Sequence, residues 1–120
     1  MAKLKVYEYS GCGTCKKAQK FLQANDIDYQ AIPIREQPPT KAELKKMLKR
    51  YDGNIRKLFN TSGRDYKELG LSAKLPAMSD AEAIDLLAQT GNLVKRPFAL
   101  GDEACVVGFK EDEWKEMLGL

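Results

Sequence analysis

The sequence predicts an α/β fold: a mixed four-stranded sheet flanked by helices, with a helical lobe inserted between its second and third strands. Three observations predict it. A β-branched and aromatic run, Leu4–Tyr9, leads through a glycine turn into an amphipathic stretch and then a second short run, Ile27–Ile34. That is the pattern of a βαβ unit. Two boxes of the Ser/Thr-x-x-Glu type, Thr40–Glu43 and Ser79–Glu82, open helical patterns in the middle of the chain. Near the end, Phe98–Leu100 and Ala104–Phe109 flank the turn Gly101-Asp102-Glu103 and precede a last helix, which reads as a hairpin followed by a packing helix.

Taken in order, Leu4–Tyr9 is the first strand. From Gly13 a helix runs to about Asn25, with Cys15, Ala18, Phe21 and Leu22 on one face; Asn25-Asp26 stops it. The second strand spans Ile27–Ile34, and Pro33, which lacks an amide hydrogen, places it at an edge or marks its end. Arg35–Pro39 is a polar, proline-rich connection. Thr40 caps the next helix, whose apolar stripe is Leu44, Met47, Leu48 and Tyr51, and Gly53 ends it as a left-handed cap. Ile55–Phe59, Arg64–Leu69 and Leu71–Leu75 are short helical turns, separated by the polar loop Asn60–Gly63 and by Gly70. Ser79 opens a helix with Ala83, Ile84, Leu87 and Ala88 inward and Gly91 as its cap. The last helix begins with Glu111, Asp112 and Glu113, which suit the positive end of a helix dipole, and buries Trp114, Met117 and Leu118. With the middle removed, the order β-α-β then β-β-α is the thioredoxin-like, glutaredoxin-type arrangement. One domain, 1–120, thus comprises a core, 1–39 and 92–120, and a helical insertion, 40–91.

The chain has 120 residues, 43% of them apolar, enough for one core without disulfide staples. No apolar run reaches the roughly 18 residues that span a bilayer, and Met1–Lys5 carries no signal-peptide core. A soluble, cytoplasmic, monomeric protein with no membrane partner is expected. The net charge of +3 is spread along the chain. There is no clustered basic face of the kind nucleic acid requires, so direct nucleic-acid binding is not expected. The absence of histidine excludes histidine-dependent acid–base catalysis and Cys/His zinc sites, and three cysteines cannot complete a four-thiolate zinc site. No bound metal or cofactor is expected.

The stretch Tyr9-Ser10-Gly11-Cys12-Gly13-Thr14-Cys15 carries the chemistry. Cys12 falls at the start of the first helix, where backbone N–H groups and the dipole favour negative charge. Lys16 and Lys17 add positive charge a turn away. The thiolate is the nucleophile in thiol exchange. Cys15, inside the helix, suits the resolving role: it attacks a mixed disulfide held on Cys12 and releases the reduced product, leaving a Cys12–Cys15 disulfide. Gly11 and Gly13 allow tight backbone geometry, so that amides beside Thr14 can converge on an anion.

Lys95-Arg96-Pro97 is the second site. In a thioredoxin-like fold the residue before the third strand is often a cis-proline facing the redox cysteine, and Pro97 stands at that place. Arg96 is then carried toward Cys12, to stabilise its thiolate or clamp an oxyanion by a bidentate contact. Cys105, among Ala104, Val106 and Val107, reads as a core cysteine, and Tyr51 and Trp114 as packing residues. A Cys-x₅-Arg anion loop starting at Cys12 would need arginine at position 18. Ala18 stands there, which excludes that type of phosphate or arsenate enzyme.

Gly11-Cys12-Gly13-Thr14-Cys15, Tyr66-Lys67-Glu68-Leu69-Gly70-Leu71, Leu93-Val94-Lys95-Arg96-Pro97 and Val107-Gly108-Phe109 together make nearly the whole chain resemble the ArsC/Spx superfamily. This comprises glutaredoxin-like arsenate reductases and the Spx and MgsR redox regulators. The resemblance implies a thiol-dependent oxidoreductase. In the reductases a single cysteine attacks arsenate, three arginines bind the oxyanion, and glutathione with glutaredoxin resolves the adduct. Cys12 matches the nucleophile and Arg96 one arginine. Asn60 stands at the second arginine's position and the third falls near Val107-Gly108, so arsenate specificity is not implied. The resemblance leaves a small thiol or oxyanion as substrate, with glutathione, thioredoxin or glutaredoxin as reductant. Its alternative is an Spx-type regulator, in which a Cys12–Cys15 disulfide senses oxidation. In that branch a glycine near the position of Gly53 contacts the α-subunit of RNA polymerase.

Overall fold

The structure is a computed structural model that describes residues 4–9, 11–101 and 105–120. Ser10 of the cysteine turn, and Asp102, Glu103 and Ala104 of the expected hairpin, lie outside the described residues.

Strands β1 (Leu4–Glu8), β2 (Tyr29–Pro33), β3 (Phe98–Leu100) and β4 (Cys105–Val107) form one sheet in the order β2-β1-β3-β4. β1 and β2 are parallel, and β3 runs antiparallel to both β1 and β4. β2 is an edge, where the missing amide hydrogen of Pro33 leaves no central ladder bond unmade. Side chains alternate across the sheet. The row Val6, Ala99 and Val106 faces one core, shared with Ala18, Phe21 and Leu22 of α1 (Gly13–Ala24) and Trp114 of α6 (Glu111–Leu118). The row Tyr7, Phe98 and Val107 faces the other, built with Leu44, Met47, Leu58 and Leu87. The fold is thioredoxin-like: a mixed four-stranded sheet covered on both faces by helices.

Between β2 and β3 the chain is helical. It holds α2 (Lys41–Arg50), a 3₁₀ turn at Ile55–Leu58, α3 (Arg64–Glu68), α4 (Leu71–Lys74), a 3₁₀ turn at Leu75–Ala77, α5 (Asp80–Gln89) and a 3₁₀ turn at Gly91–Leu93. Both capping boxes form. Glu43 does more than cap. The Tyr7 hydroxyl donates to its carboxylate at 2.6 Å, and Lys5 Nζ lies 3.4 Å away, so α2 is tied to β1. Burial opposes the Glu43 charge, but the bonds from Tyr7 and Thr40 and the Lys5 ammonium outweigh it and hold the carboxyl below its ordinary value. Burial, then the bond to Glu43, pushes the Tyr7 phenol up.

α1, α2 and α6 end in the same way. A left-handed residue, Asp26, Asp52 or Gly119, follows the last turn. The next amide then reaches back: Ile27 to the Leu22 carbonyl at 3.0 Å, Gly53 to Leu48 at 3.0 Å, Leu120 to Lys115 at 2.9 Å. Asp52 is therefore the first left-handed residue after α2, and Gly53, expected as the cap, is the second.

Three other expectations are corrected. Gly91 is not a left-handed cap: it follows the C-cap Thr90 without a positive φ and starts the next 3₁₀ turn; a Cβ on Gly91 would lie 1.8 Å from the Ile34 carbonyl oxygen, so the glycine is there for close approach to the chain leaving β2. The second strand starts at Tyr29 rather than Ile27, since the Ile27 amide is used to close α1. The last strand stops at Val107 rather than Phe109, because Gly108 turns the chain with φ 71° and donates its amide to the Pro97 carbonyl at 2.9 Å. Trp114 Nε1 then donates to the Gly108 carbonyl at 2.9 Å, which anchors α6. No helix among the described residues is long and apolar enough to cross a membrane.

Candidate thiol site and its two cavities

Tyr9 follows the C-terminal end of the interior strand β1, and the chain turns: the Cys12 amide donates to the Tyr9 carbonyl at 3.0 Å. Gly11 is pressed against the Tyr9 ring, where a Cβ would come within 2.8 Å. Gly13 has open space at its Cβ position, so the tight contact in this turn belongs to Gly11 and not to Gly13. Cys12 is the extended N-cap of α1, and its Sγ accepts from the Cys15 backbone N–H at 3.3 Å. Cys12 is half-buried, while Cys15 and Cys105 are buried. Burial, followed by the hydrogen bond with Cys12, pushes the Cys15 thiol up to about 12. The site thus presents one accessible sulfur and one protected thiol a turn below it. Cys105 sits in the core facing α2, its Sγ 3.9 Å from the Lys46 carbonyl, as a core cysteine should.

The loop before β3 comes next. An antiparallel bridge joins Phe59 and Val94, flanked by bonds from the Asn60 amide to Leu93 (2.7 Å) and from the Lys95 amide to Leu58 (2.8 Å). This stitching sets Asn60 beside the Arg96–Pro97 step, whose peptide bond is cis. Asn60 and Arg96 line one cavity of about 450 Å³, together with Tyr9, Asn92 and Arg35. Arg96 Nη1 donates to the Asn92 carbonyl at 3.3 Å. Its guanidinium lies over the Tyr9 ring, 5.3 Å from the centroid, and that of Arg35 lies 5.0 Å from the same centroid. Among the described residues Arg96 makes no hydrogen bond to Cys12. Arg35 falls in the proline-rich connection after β2. No spacing motif marks it; the parallel pairing of β2 beside β1 brings it to Tyr9.

A second cavity, of about 590 Å³, opens on the other side of the cysteine turn. Thr14, Thr61 and Lys95 line it, with Tyr51 and Phe109 in its wall. Tyr51 is more than packing here, since its hydroxyl also accepts from the Val107 amide at 3.1 Å. The chain crosses from one cavity to the other at three places: from Tyr9 to Thr14 through Cys12, from Asn60 to Thr61, and from Arg96 to Lys95. Gly53 lies in neither. It borders a separate hollow of about 310 Å³ in the helical region, with Tyr66 and Leu75. No group of residues able to hold a metal ion occurs among the described residues.

The fold and the cysteine turn define a thioredoxin-like protein with a helical block before its cis-proline loop. A model of the ArsC family matches residues 7–117, and the chain belongs to that family. It is 46% identical over 113 residues to the uncharacterized protein YusI of Bacillus subtilis, covering 94% of this chain and 96% of that one. It is 26% identical to the global transcriptional regulator Spx of Lactiplantibacillus plantarum, covering 94% of this chain and 84% of that one. A crystal structure of an ArsC-family-related protein from Bacteroides fragilis is 44% identical, with a TM-score of 0.90 over 97% of this chain and 98% of that one.

Proposed function

We propose that the protein is a cytoplasmic, monomeric thiol-dependent oxidoreductase with Cys12 as nucleophile and Cys15 as resolving thiol. The observation that carries this reading is the contact of the Cys15 amide with the accessible Cys12 sulfur, because it combines a donor for a charged sulfur with a second thiol in reach. In the reaction, the Cys12 thiolate attacks one sulfur of a small disulfide. The S–S bond breaks, one thiolate leaves, and a mixed disulfide stays on Cys12. Cys15 then loses its proton and attacks the Cys12 sulfur. The second thiolate leaves, and the protein holds a Cys12–Cys15 disulfide. The small disulfide gains two electrons and the two cysteines lose them. Glutathione, or thioredoxin or glutaredoxin, returns the protein to the dithiol. An oxyanion substrate, distinct from the small disulfide, is anchored by Arg96, Arg35 and Asn60 in the smaller cavity, which Asp65 and Glu68 also line. In this reading Thr14 and Pro97 take part in binding the substrate.

The test is trapping. Cys15→Ser, mixed with hydroxyethyl disulfide, accumulates a mixed disulfide on Cys12 that mass spectrometry detects, and Cys12→Ser does not. Absence of any adduct on Cys12 sinks the reading.

Similarity to Spx over most of the chain favours a second reading. In it the Cys12–Cys15 pair is a redox switch, and the surface around Gly53 meets the RNA polymerase α-subunit. A pulldown with purified α-subunit, reduced and oxidised, separates the two: binding that follows the oxidation state supports the regulator, and no binding in either state removes it.

A further inference from the structure

The larger cavity is cationic, and the thiol chemistry described above does not use it. Arg56, Lys57, Lys95 and Lys110 line it against a single carboxylate, Glu113. None of these cations is in an ion pair among the described residues. Lys57 rests 5.9 Å from the Tyr51 ring centroid. The Lys95 stem crosses the backbone at Gly108, its Cε 3.2 Å from where a Cβ would stand, so the bare glycine leaves the lysine its path into the cavity. Four cations from three separate segments, converging on one hollow and facing one anion, raise the local concentration of negatively charged ligands. The hollow begins at Thr14, two residues beyond the reactive sulfur.

Resting on the thiol-exchange reading, we propose that this cavity binds the small thiol or disulfide co-substrate and selects those bearing several negative charges, carboxylate or phosphate. Cys12 attacks the disulfide of the bound compound. The S–S bond breaks, one anionic thiolate leaves, and the mixed disulfide keeps its charged half among Lys95, Lys110 and Arg56. Attack by Cys15 releases that half as the second thiolate. The oxidant is the anionic disulfide itself, reduced by the two electrons that Cys12 and Cys15 lose. The charge of the co-substrate is thus read on one side of the cysteine turn and that of any anionic substrate on the other, at Arg35 and Arg96.

The test is a rate series for oxidation of the reduced, full-length protein by four disulfides: glutathione disulfide (carboxylates), coenzyme A disulfide (phosphates), neutral hydroxyethyl disulfide and cationic cystamine. At low salt the anionic compounds react about tenfold or more faster than expected from their intrinsic reactivity relative to the neutral one, and cystamine reacts slower. Addition of about 0.5 M salt collapses the order. Preference for glutathione disulfide alone assigns carboxylates; preference for coenzyme A disulfide alone assigns phosphates. In Lys95→Glu the ratio of anionic to neutral rates falls about tenfold and the preference moves toward cystamine. Lys110→Glu, at an exposed position, does the same and serves if Lys95→Glu does not fold. A general structural defect lowers every rate together and leaves the ratio alone. A ratio that is unchanged in both variants, or no charge order in the unmodified protein, overturns the proposal. If hydroxyethyl disulfide fails to react at Cys12, the thiol-exchange reading falls first and this one with it.

Discussion

The Cys15 backbone N–H lies 3.3 Å from the Cys12 sulfur, while the Cys15 side chain is itself buried. One residue therefore both supports the accessible sulfur and keeps a second thiol under cover. The difference in exposure between the two sulfurs is set by helix geometry: Cys12 is the N-cap, and Cys15 faces inward in the same row as Ala18 and Leu22.

That arrangement predicts selective labelling. Burial and the bond with Cys12 push the Cys15 thiol up to about 12, and burial also raises Cys105. Iodoacetamide at pH 8 modifies Cys12 in the native protein and spares the other two, which peptide mass mapping reads directly. Equal labelling of Cys12 and Cys15 contradicts the arrangement. The sign for stability follows from the same shift. A raised thiol keeps its proton in the folded state after the unfolded chain has lost it, so stability is full below the ordinary value near 9 and declines as pH rises above it.

Gly91 and Ile34 make a second, sharper prediction. A methyl group on Gly91 would sit 1.8 Å from a backbone oxygen, with no flexible side chain to move aside. Gly91→Ala costs about 3 kcal/mol or more in urea unfolding. Gly13→Ala, where the Cβ meets nothing within 4 Å, changes stability by less than about 1 kcal/mol.

Glu43 gives the acid limb. Its carboxyl is held below the ordinary 4.5, although burial works against the charge, by Tyr7, Thr40 and Lys5. A depressed carboxyl contributes stability that is present above the unfolded value and lost as pH falls through the folded one. Stability against urea therefore declines below about pH 4.5 with a Glu43-dependent component. In Glu43→Gln that part of the decline flattens, and the variant is less stable than the unmodified protein at pH 7. An unchanged pH profile in the variant would count against the Tyr7–Glu43–Lys5 tie.

Much of this architecture is legible in the sequence because it rests on local rules. Thr40–Glu43 and Ser79–Glu82 announce helix starts through contacts three residues apart. The inward row Cys15, Ala18, Phe21 and Leu22 is buried as the periodicity predicts. Pro97 is recognisable from its place before a strand. The roles of the glycines are less legible. A glycine that serves as a cap and one that serves close packing look identical in sequence, and only the neighbour, Ile34 for Gly91 and the Tyr9 ring for Gly11, tells them apart.

The sequence by itself determined the order of elements, the N-cap position of Cys12 and the inward position of Cys15. Those follow from side-chain periodicity, capping and spacing, which act over a few residues. Only the tertiary structure decided which charges share a cavity. Arg35 joins Arg96 over Tyr9 because β2 pairs parallel with β1. Arg56, Lys95 and Lys110 meet in one hollow because the Phe59–Val94 bridge and the turn at Gly108 fold three distant segments together. Electrostatic environment depends on distance through space, and no local pattern in the chain encodes it.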